Sequence, residues 1–252
     1  MKFIHVSDLH FHQNKSDNKA ATKMLKFIQS NYPQHYLIVT GDITDDGHES
    51  QYRRAAEALN PFKGRTFICP GNHDFGAAGN FYSREWAERF DEFLSVPLEQ
   101  GGTFTGDKTP VVNIVRENGE EVMVIALDTN LETEQAFDFA CGQVGKTQRS
   151  ALDNILSNPV TRDMKIIVFF HHHPFMHNNP FMELKDARQL MRIMYNRVNV
   201  LLFGHKHVMG KWENCNGIRY VLASDDSPGK DWAHEITVEK GEVGEAEIRI
   251  AS

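Results

Sequence analysis

Tyr36-Leu37-Ile38-Val39-Thr40-Gly41-Asp42-Ile43-Thr44-Asp45 decides how the rest of the chain is read. The run from Tyr36 to Thr40 is apolar and β-branched, which predicts a buried strand, and a Gly-Asp-x-x-Asp island follows with no linker between. In an open α/β sheet the carboxyl ends of the strands form the crevice where ligands bind, so carboxylates at this point are placed for chemistry. Working outward, the same arrangement recurs. Asp8-Leu9-His10 follows Phe3 to Ser7, Gly71-Asn72-His73-Asp74 follows Phe67 to Pro70, His171-His172-His173-Pro174 follows Ile166 to Phe170, and Gly204-His205-Lys206-His207 follows Val200 to Phe203. Asp8 and Asp42 are 34 residues apart and Asp42 and Asn72 are 30 apart. Each interval is about one βα repeat, as neighbouring parallel strands with a crossover helix require.

Segments of helical period fill the intervals. Asn18 to Asn31 places Ala21, Met24, Leu25 and Ile28 on one face, Glu49 to Leu59 stops at Asn60-Pro61, and residues 83–94 turn Trp86, Phe90 and Phe93 one way. Glu99 to Thr109 is a Gly- and Thr-rich loop, and Asn118-Gly119 between Val111–Val115 and Val122–Leu127 signals a hairpin. Helices are expected over Val144–Leu156 and Leu184–Asn196, strands over Lys165–Phe170 and Val198–Phe203, and three strands in the tail at Gly217–Ala223, His234–Glu239 and Glu245–Ile250. The fold class this implies is α/β: two packed sheets forming a β-sandwich flanked by helices, in α-β-β-α layers. No linker or composition break divides the chain, so a single domain over residues 1–252 is expected.

Composition narrows the function. The chain of 252 residues is 40% hydrophobic and 24% charged, with 18 Gly and 9 Pro, which excludes disorder, collagen-like repeats and coiled coil. A net charge of −7 repels polyanions in bulk, so nucleic acid is not an expected partner and a phosphate-bearing substrate needs a local attraction. Cys69, Cys141 and Cys215 are widely spaced and contain no C-x-x-C pair, so neither a disulfide framework nor a zinc ribbon is expected and a reducing cytoplasm fits best. Lys2 to Ser7 is too short and polar for a signal segment, and no apolar run reaches the length of a membrane span. Histidine, at 13, is the compositional oddity.

Imidazole and carboxylate at the strand ends suit manganese, iron or zinc, and no island contains cysteine. The donors outnumber the roughly four ligands of a single zinc, so two transition-metal ions sharing a carboxylate, with Asp42 as the natural bridge, is the economical reading. Such a pair activates a bridging water as hydroxide and clamps a phosphoryl oxygen, which describes hydrolysis of a phosphoester. It also leaves a net positive site in an acidic protein.

Taken in order, D-x-H, G-D-x-x-D, G-N-H-D, H-H-P and G-H-x-H resemble the motifs of the calcineurin-like metallophosphoesterases, over residues 8–207. The resemblance implies one metal held by Asp8, His10, Asp42 and His207 and a second held by Asp42, Asn72, His172 and His205. In the triplet, the family's ligand lies two places before proline, which gives His172. Alternate residues at a strand end face opposite ways, so His171 and His173 are not expected to replace it. His73 is expected beside the metals, where it protonates the leaving oxygen. Asp74 either orients that ring or is a plain turn residue. Asp45, Asp128, His12 and His177 are candidates for supporting contacts, His5 for the core, and His35, His48 and His234 for the surface.

The protein phosphatases carry Arg-Gly after the second motif and Glu after Gly-Asn-His. Here Asp46-Gly47 follows Asp45 and Asp74 follows His73. The chain looks more like the cyclic-nucleotide phosphodiesterase and glycerophosphodiesterase branch, as does Gly142-Gln143-Val144 ahead of a helix with Gln148 and Leu152. It departs from that branch at His173-Pro174-Phe175, where His-His-Pro-Pro is usual, and over Phe75 to Pro110, where no motif aligns. The expected substrate is a small phosphodiester, with phosphomonoesters or pyrophosphates as the alternative. A scaffold without catalysis and a DNA nuclease rank lower, because the motif ligands are present and a basic surface is not.

Overall fold

The computed structural model describes residues 1–77, 81–106, 110–131, 140–177, 179–224 and 231–251. Its chain order begins β1 (Lys2–Val6), α1 (Lys19–Asn31), β2 (Tyr36–Thr40), α2 (Glu49–Leu59) and β3 (Thr66–Cys69). The short pair β4 (Gly76–Ala77) and β5 (Phe81–Tyr82), then α3 (Arg84–Phe90) and the hairpin β6 (Val111–Glu117) and β7 (Glu120–Ala126), come next. Then follow α4 (Lys146–Ser157), β8 (Lys165–Phe169), α5 (Ala187–Met194), β9 (Val200–Phe203), β10 (Gly210–Cys215), β11 (Ile218–Ala223), β12 (Trp232–Glu239) and β13 (Glu242–Arg249).

These strands form two main sheets, ordered β13-β12-β1-β2-β3 and β10-β11-β9-β8-β7-β6. β1, β2 and β3 run parallel, as do β7, β8, β9 and β11, while the edge strands β6, β10 and β13 and the penultimate β12 pair antiparallel. Side-chain alternation separates the two faces of the second sheet. Val122, Val124, Ile167, Phe169, Val200 and Leu202 join the core shared with the first sheet. Met123, Ile125, Ile166, Val168, Phe170, Leu201 and Phe203 pack outward under α4 and α5. On α1 the expected face is the buried one, with Ala21, Met24, Leu25 and Ile28 covered. The layers are therefore helix, sheet, sheet, helix, as the sequence implies.

Two expectations change. The tail contains a further strand, β10, and His234 is buried rather than exposed. β12 lies between β1 and β13, and its His234 bonds Glu245 Oε1 at 2.7 Å and the Ala223 carbonyl at 3.1 Å. Among the described residues, no helix is long and apolar enough to cross a membrane.

Candidate metal centre and active site

Because β1, β2 and β3 are parallel, as are β8 and β9, the five polar islands leave their sheets at matching ends and meet along the seam between them. Backbone bonds zip the first two islands together: Asp8 N–H donates to the Gly41 carbonyl at 2.9 Å, His10 N–H to Asp42 at 2.9 Å and Phe11 N–H to Ile43 at 2.8 Å. Asp8 (φ 52°), His10 (φ 44°), Asp42 (φ 46°), His205 (φ 73°) and His207 (φ 54°) all hold left-handed backbone. Each such residue costs about 1–3 kcal/mol, which the surrounding packing must offset, and such strain concentrates at functional sites. Close approach explains two glycines here. A Cβ on Gly71 would overlap the Asp42 carboxylate, and one on Gly204 would overlap Ser7 Oγ and Asp8 Oδ2.

Three overlapping groups result: Asp8, His10 and His207; His10, Asp42 and His73; and Asp42, His171 and His205, each with its ligating atoms within 4.8 Å of one another. Asp42 belongs to two of them. His171 Nε2 lies 3.2 Å from Asp42 Oδ2, 3.0 Å from Asn72 Oδ1 and 3.1 Å from His205 Nδ1. Its other nitrogen faces the Thr40 carbonyl at 2.9 Å, the kind of partner that fixes the tautomer of a metal-binding histidine. On the other side, His207 Nε2 is 3.4 Å from Asp8 Oδ1, His10 Nε2 is 3.9 Å from Asp42 Oδ2, and the Asp8 carboxylate accepts the His205 N–H at 3.2 Å.

Charge follows this geometry. Burial works against a charge on His171, yet the Asp42 carboxylate beside it holds the ring up at about 9. Burial likewise opposes charge on His10, and Asp45, Asp42 and Asp8 raise it to about 9. His205 is pushed down to about 3 by burial and by the neighbouring His171. The carboxylates thus hold protons on two imidazoles while burial strips others, and divalent cations could take the place of those protons. Buried His10 Nε2, His172 Nε2 and His205 Nε2 have no hydrogen-bond partner, as nitrogens placed to ligate require. Asp8, His10, Asp42 and His207, together with Asp42, Asn72, His205 and a histidine of the triplet, His172 or His171, could hold two ions through imidazole nitrogen and carboxylate or amide oxygen.

Within the triplet the structure brings His171 to the centre beside the expected His172. Ile167 and Phe169 face the shared core, and the next step of two places His171 on the side of Asp42. His172 is fully buried next to it: its Nδ1 meets Thr129 Oγ1 at 2.7 Å, its ring centroid lies 4.5 Å from that of His205, and its Nε2 has no hydrogen-bond partner. His173 packs edge-on against Phe203 with ring centroids 4.7 Å apart, and burial lowers it to about 4.

Asp74 does not orient His73. Its buried carboxylate accepts N–H groups of Ile43 at 3.2 Å, Thr44 at 2.7 Å and Gly71 at 2.9 Å, with the Thr44 hydroxyl at 2.9 Å, and so clamps the second and third islands together. Asp45 takes the orienting role. Its carbonyl accepts from His73 Nδ1 at 2.7 Å, while its carboxylate lies 3.5 Å from His10 Nδ1 and 3.1 Å from His12 Nδ1. Thr129 and Thr40 are contributors the motifs did not flag, since hydroxyls and backbone carbonyls carry no sequence signature of this role. Asp128 accepts the Asn130 N–H at 2.8 Å within its own loop. His5 bonds Thr40 Oγ1 at 2.9 Å in the core.

Comparison with known proteins agrees with this geometry. The model of the calcineurin-like phosphoesterase family matches residues 1–209. The 3′,5′-cyclic adenosine monophosphate phosphodiesterase CpdA of Haemophilus influenzae is 24% identical over 230 residues, covering 84% of this chain and 72% of that protein. The CpdA of Vibrio vulnificus is 23% identical over 282 residues, covering 100% of this chain and 91% of its own length. Among solved structures, the purple acid phosphatase PPD1 of yellow lupin superposes with a TM-score of 0.67 at 12% identity, over 99% of this chain and 51% of that one. A putative 5′-nucleotidase from Staphylococcus aureus gives 0.61 at 14% identity, over 100% and 54%. The chain thus spans about half the length of these two solved chains, and both likenesses concern the fold. Its match along most of its length, on a two-sheet frame with Asp and His gathered at the strand ends, means that the chain belongs to the calcineurin-like phosphoesterase family, a family of phosphoric ester hydrolases.

Proposed function

We propose that the chain hydrolyses small phosphodiesters of the cyclic-nucleotide or glycerophosphodiester type. Two ions (manganese, iron or zinc) are held in this reading by Asp8, His10, Asp42 and His207, and by Asp42, Asn72, His172 and His205, with His171 hydrogen-bonded beside them. The observation that carries it is the convergence of Asp42 Oδ2, Asn72 Oδ1 and His205 Nδ1 within 3.2 Å of His171 Nε2. The diester preference is supported by the names of the relatives from Haemophilus and Vibrio and by Asp46-Gly47 and Asp74 in the second and third islands.

Bound there, the ions lower the pKa of a water molecule and neutralise charge on the phosphoryl oxygens. The residues of the chain do the rest. The Asp45 carbonyl accepts the Nδ1 proton of His73 and holds the ring so that Nε2 of the doubly protonated imidazolium gives its proton to the departing alkoxide, leaving the ring neutral. The Asp45 carboxylate steadies His10, Thr129 steadies His172, Thr40 steadies His171, and the Asp74 clamp keeps Asp42 and Asn72 in step.

The test is a panel of 3′,5′-cyclic nucleotides, glycerophosphodiesters, phosphomonoesters and pyrophosphates, assayed with chelator-treated and manganese-reloaded protein. The reading expects diester cleavage only after reloading. Faster turnover of monoesters or pyrophosphates would overturn the substrate class, and undiminished activity without metal would overturn the mechanism.

A further inference from the structure

A second concentration of charge lies at the far end of the second sheet, where β8, β9 and β11 begin. The loops there border a cavity of about 720 Å³ lined by Arg162, Lys165, Arg197 and Arg219, with Asp163 as its one carboxylate. Strands of four to five residues separate it from the metal centre, a distance of roughly 15 Å. In a protein of net charge −7, four cations against Asp163 and the Asp153 that pairs with Arg197 leave a local excess of positive charge.

The lining is also rich in donors. Among the described residues, the side chains of Arg162 and Lys165 have no ion-pair or hydrogen-bond partner. Arg197 is held in place by the Ile193 carbonyl at 2.7 Å, Ser157 Oγ at 3.1 Å and Asp153 Oδ1 at 2.7 Å. Arg219 lies 5.0 Å from the Tyr220 ring centroid and gives one N–H to Asn214. Asn158 and Asn199 use their side-chain carbonyls on the Val160 and Ile166 N–H groups, which leaves their amide N–H₂ groups as donors. Two loops meet closely at the rim: Gly217 has φ 68°, and a Cβ there would overlap Asn196 Oδ1.

Cavities of this volume hold small molecules, and those for apolar ligands are lined mainly by apolar groups. Several guanidinium and ammonium groups with amide donors instead match a compact ligand made of acceptor oxygens. We propose that this cavity is a second ligand site, which takes a small molecule bearing two or more linked phosphoryl groups. The inference stands apart from the reading of the metal centre, because none of its residues belongs to that centre.

The probe is inorganic pyrophosphate, titrated calorimetrically into chelator-treated, dialysed protein at low and high salt. Binding is expected, weakening steeply with salt. R162E/K165E lowers the affinity by about tenfold or more through loss of charge-assisted hydrogen bonds. D163N tightens binding, and H171A leaves it unchanged. R162E/K165E keeps wild-type phosphodiester hydrolysis in reloaded protein. If the double variant loses its folded thermal transition, R162Q/K165Q takes its place. Absence of binding to wild type, equal binding by the charge variants, or loss of binding in H171A would each overturn the proposal, the last by assigning the anion to the metal centre.

Discussion

His171 Nε2 lies 3.2 Å from Asp42 Oδ2, although Asp42 follows β2 in one sheet and His171 follows β8 in the other. The candidate centre is therefore a property of how the two sheets stack. Each sheet alone carries only part of the donor set, and the interleaved core sets the separation between the parts. A change that loosens the sandwich near this edge acts on metal binding before it acts on any single ligand.

The triplet gives the sharpest comparison. H172A is expected to lose one bound ion per chain and to lower kcat/KM by more than about 100-fold, because it removes a buried nitrogen with no protein partner, whereas H171A, whose ring bonds Thr40, Asn72 and Asp42, costs about tenfold and keeps both ions. Elemental analysis of the purified variants beside their kinetics separates the two. The reverse order would place His171 at the metal.

His73 is tested by the leaving group. With Nδ1 engaged by the Asp45 carbonyl, H73N should slow alkyl diesters by about 10²–10⁴-fold and change activated aryl diesters much less, because a phenolate needs no proton to depart. An equal loss on both substrates would contradict proton donation.

Gly204→Ala probes the close packing of the first and fifth islands. The added methyl collides with Ser7 Oγ and Asp8 Oδ2, so the Asp8 carboxylate must move. Weaker binding of one ion is expected, with thermal stability reduced by about 1–3 kcal/mol, the usual cost of overpacking. Manganese titration and thermal melts read the two effects.

The acid arm of stability should depend on Glu245. Burial works to raise its carboxyl, but the hydrogen bond to His234 and the Lys211 ammonium 2.7 Å away outweigh that and hold it below the usual range. A carboxyl depressed in the folded state stabilises the fold above its unfolded pKa of about 4.3, and that contribution fades as pH falls through the folded value. E245Q should therefore flatten the melting-temperature profile below about pH 4.5, while Glu235, depressed by His35 and Lys2, keeps its own share. An unchanged profile would remove Glu245 from the account.

Periodicity made most of the framework legible. The buried face of α1 and the strands Tyr36–Thr40 and Thr66–Cys69 stand where their apolar spacing places them, because both elements pack against one large core. β10 escaped because Gly-Lys-Trp-Glu-Asn-Cys lies at a sheet edge with mostly exposed side chains, and its strand form comes from pairing with β11. His234 was misread because a buried histidine satisfied by a glutamate and a carbonyl looks, in sequence, like a polar surface residue.

At the centre, the motifs located the islands but not the direction of every side chain. Counting back from Pro174 selects His172 and counting forward from the inward-facing Phe169 selects His171, and beyond the end of the strand both rings pack against His205, so alternation does not set His171 aside. The clamp made by Asp74 and the contact of Asp45 with His73 were not legible for a related reason. Both aspartates are turn residues, and only the three-dimensional path of the loops shows that one clamps backbone N–H groups while the other faces histidines.

The central claim is that these segments together hold two cations needed for hydrolysis. Chelator-stripped protein titrated with manganese, with bound metal and phosphodiester cleavage followed together, tests it directly. The account predicts saturation at two ions per chain, with activity rising only as the second site fills. Full activity in stripped protein, or saturation at a single ion with full activity, would contradict it.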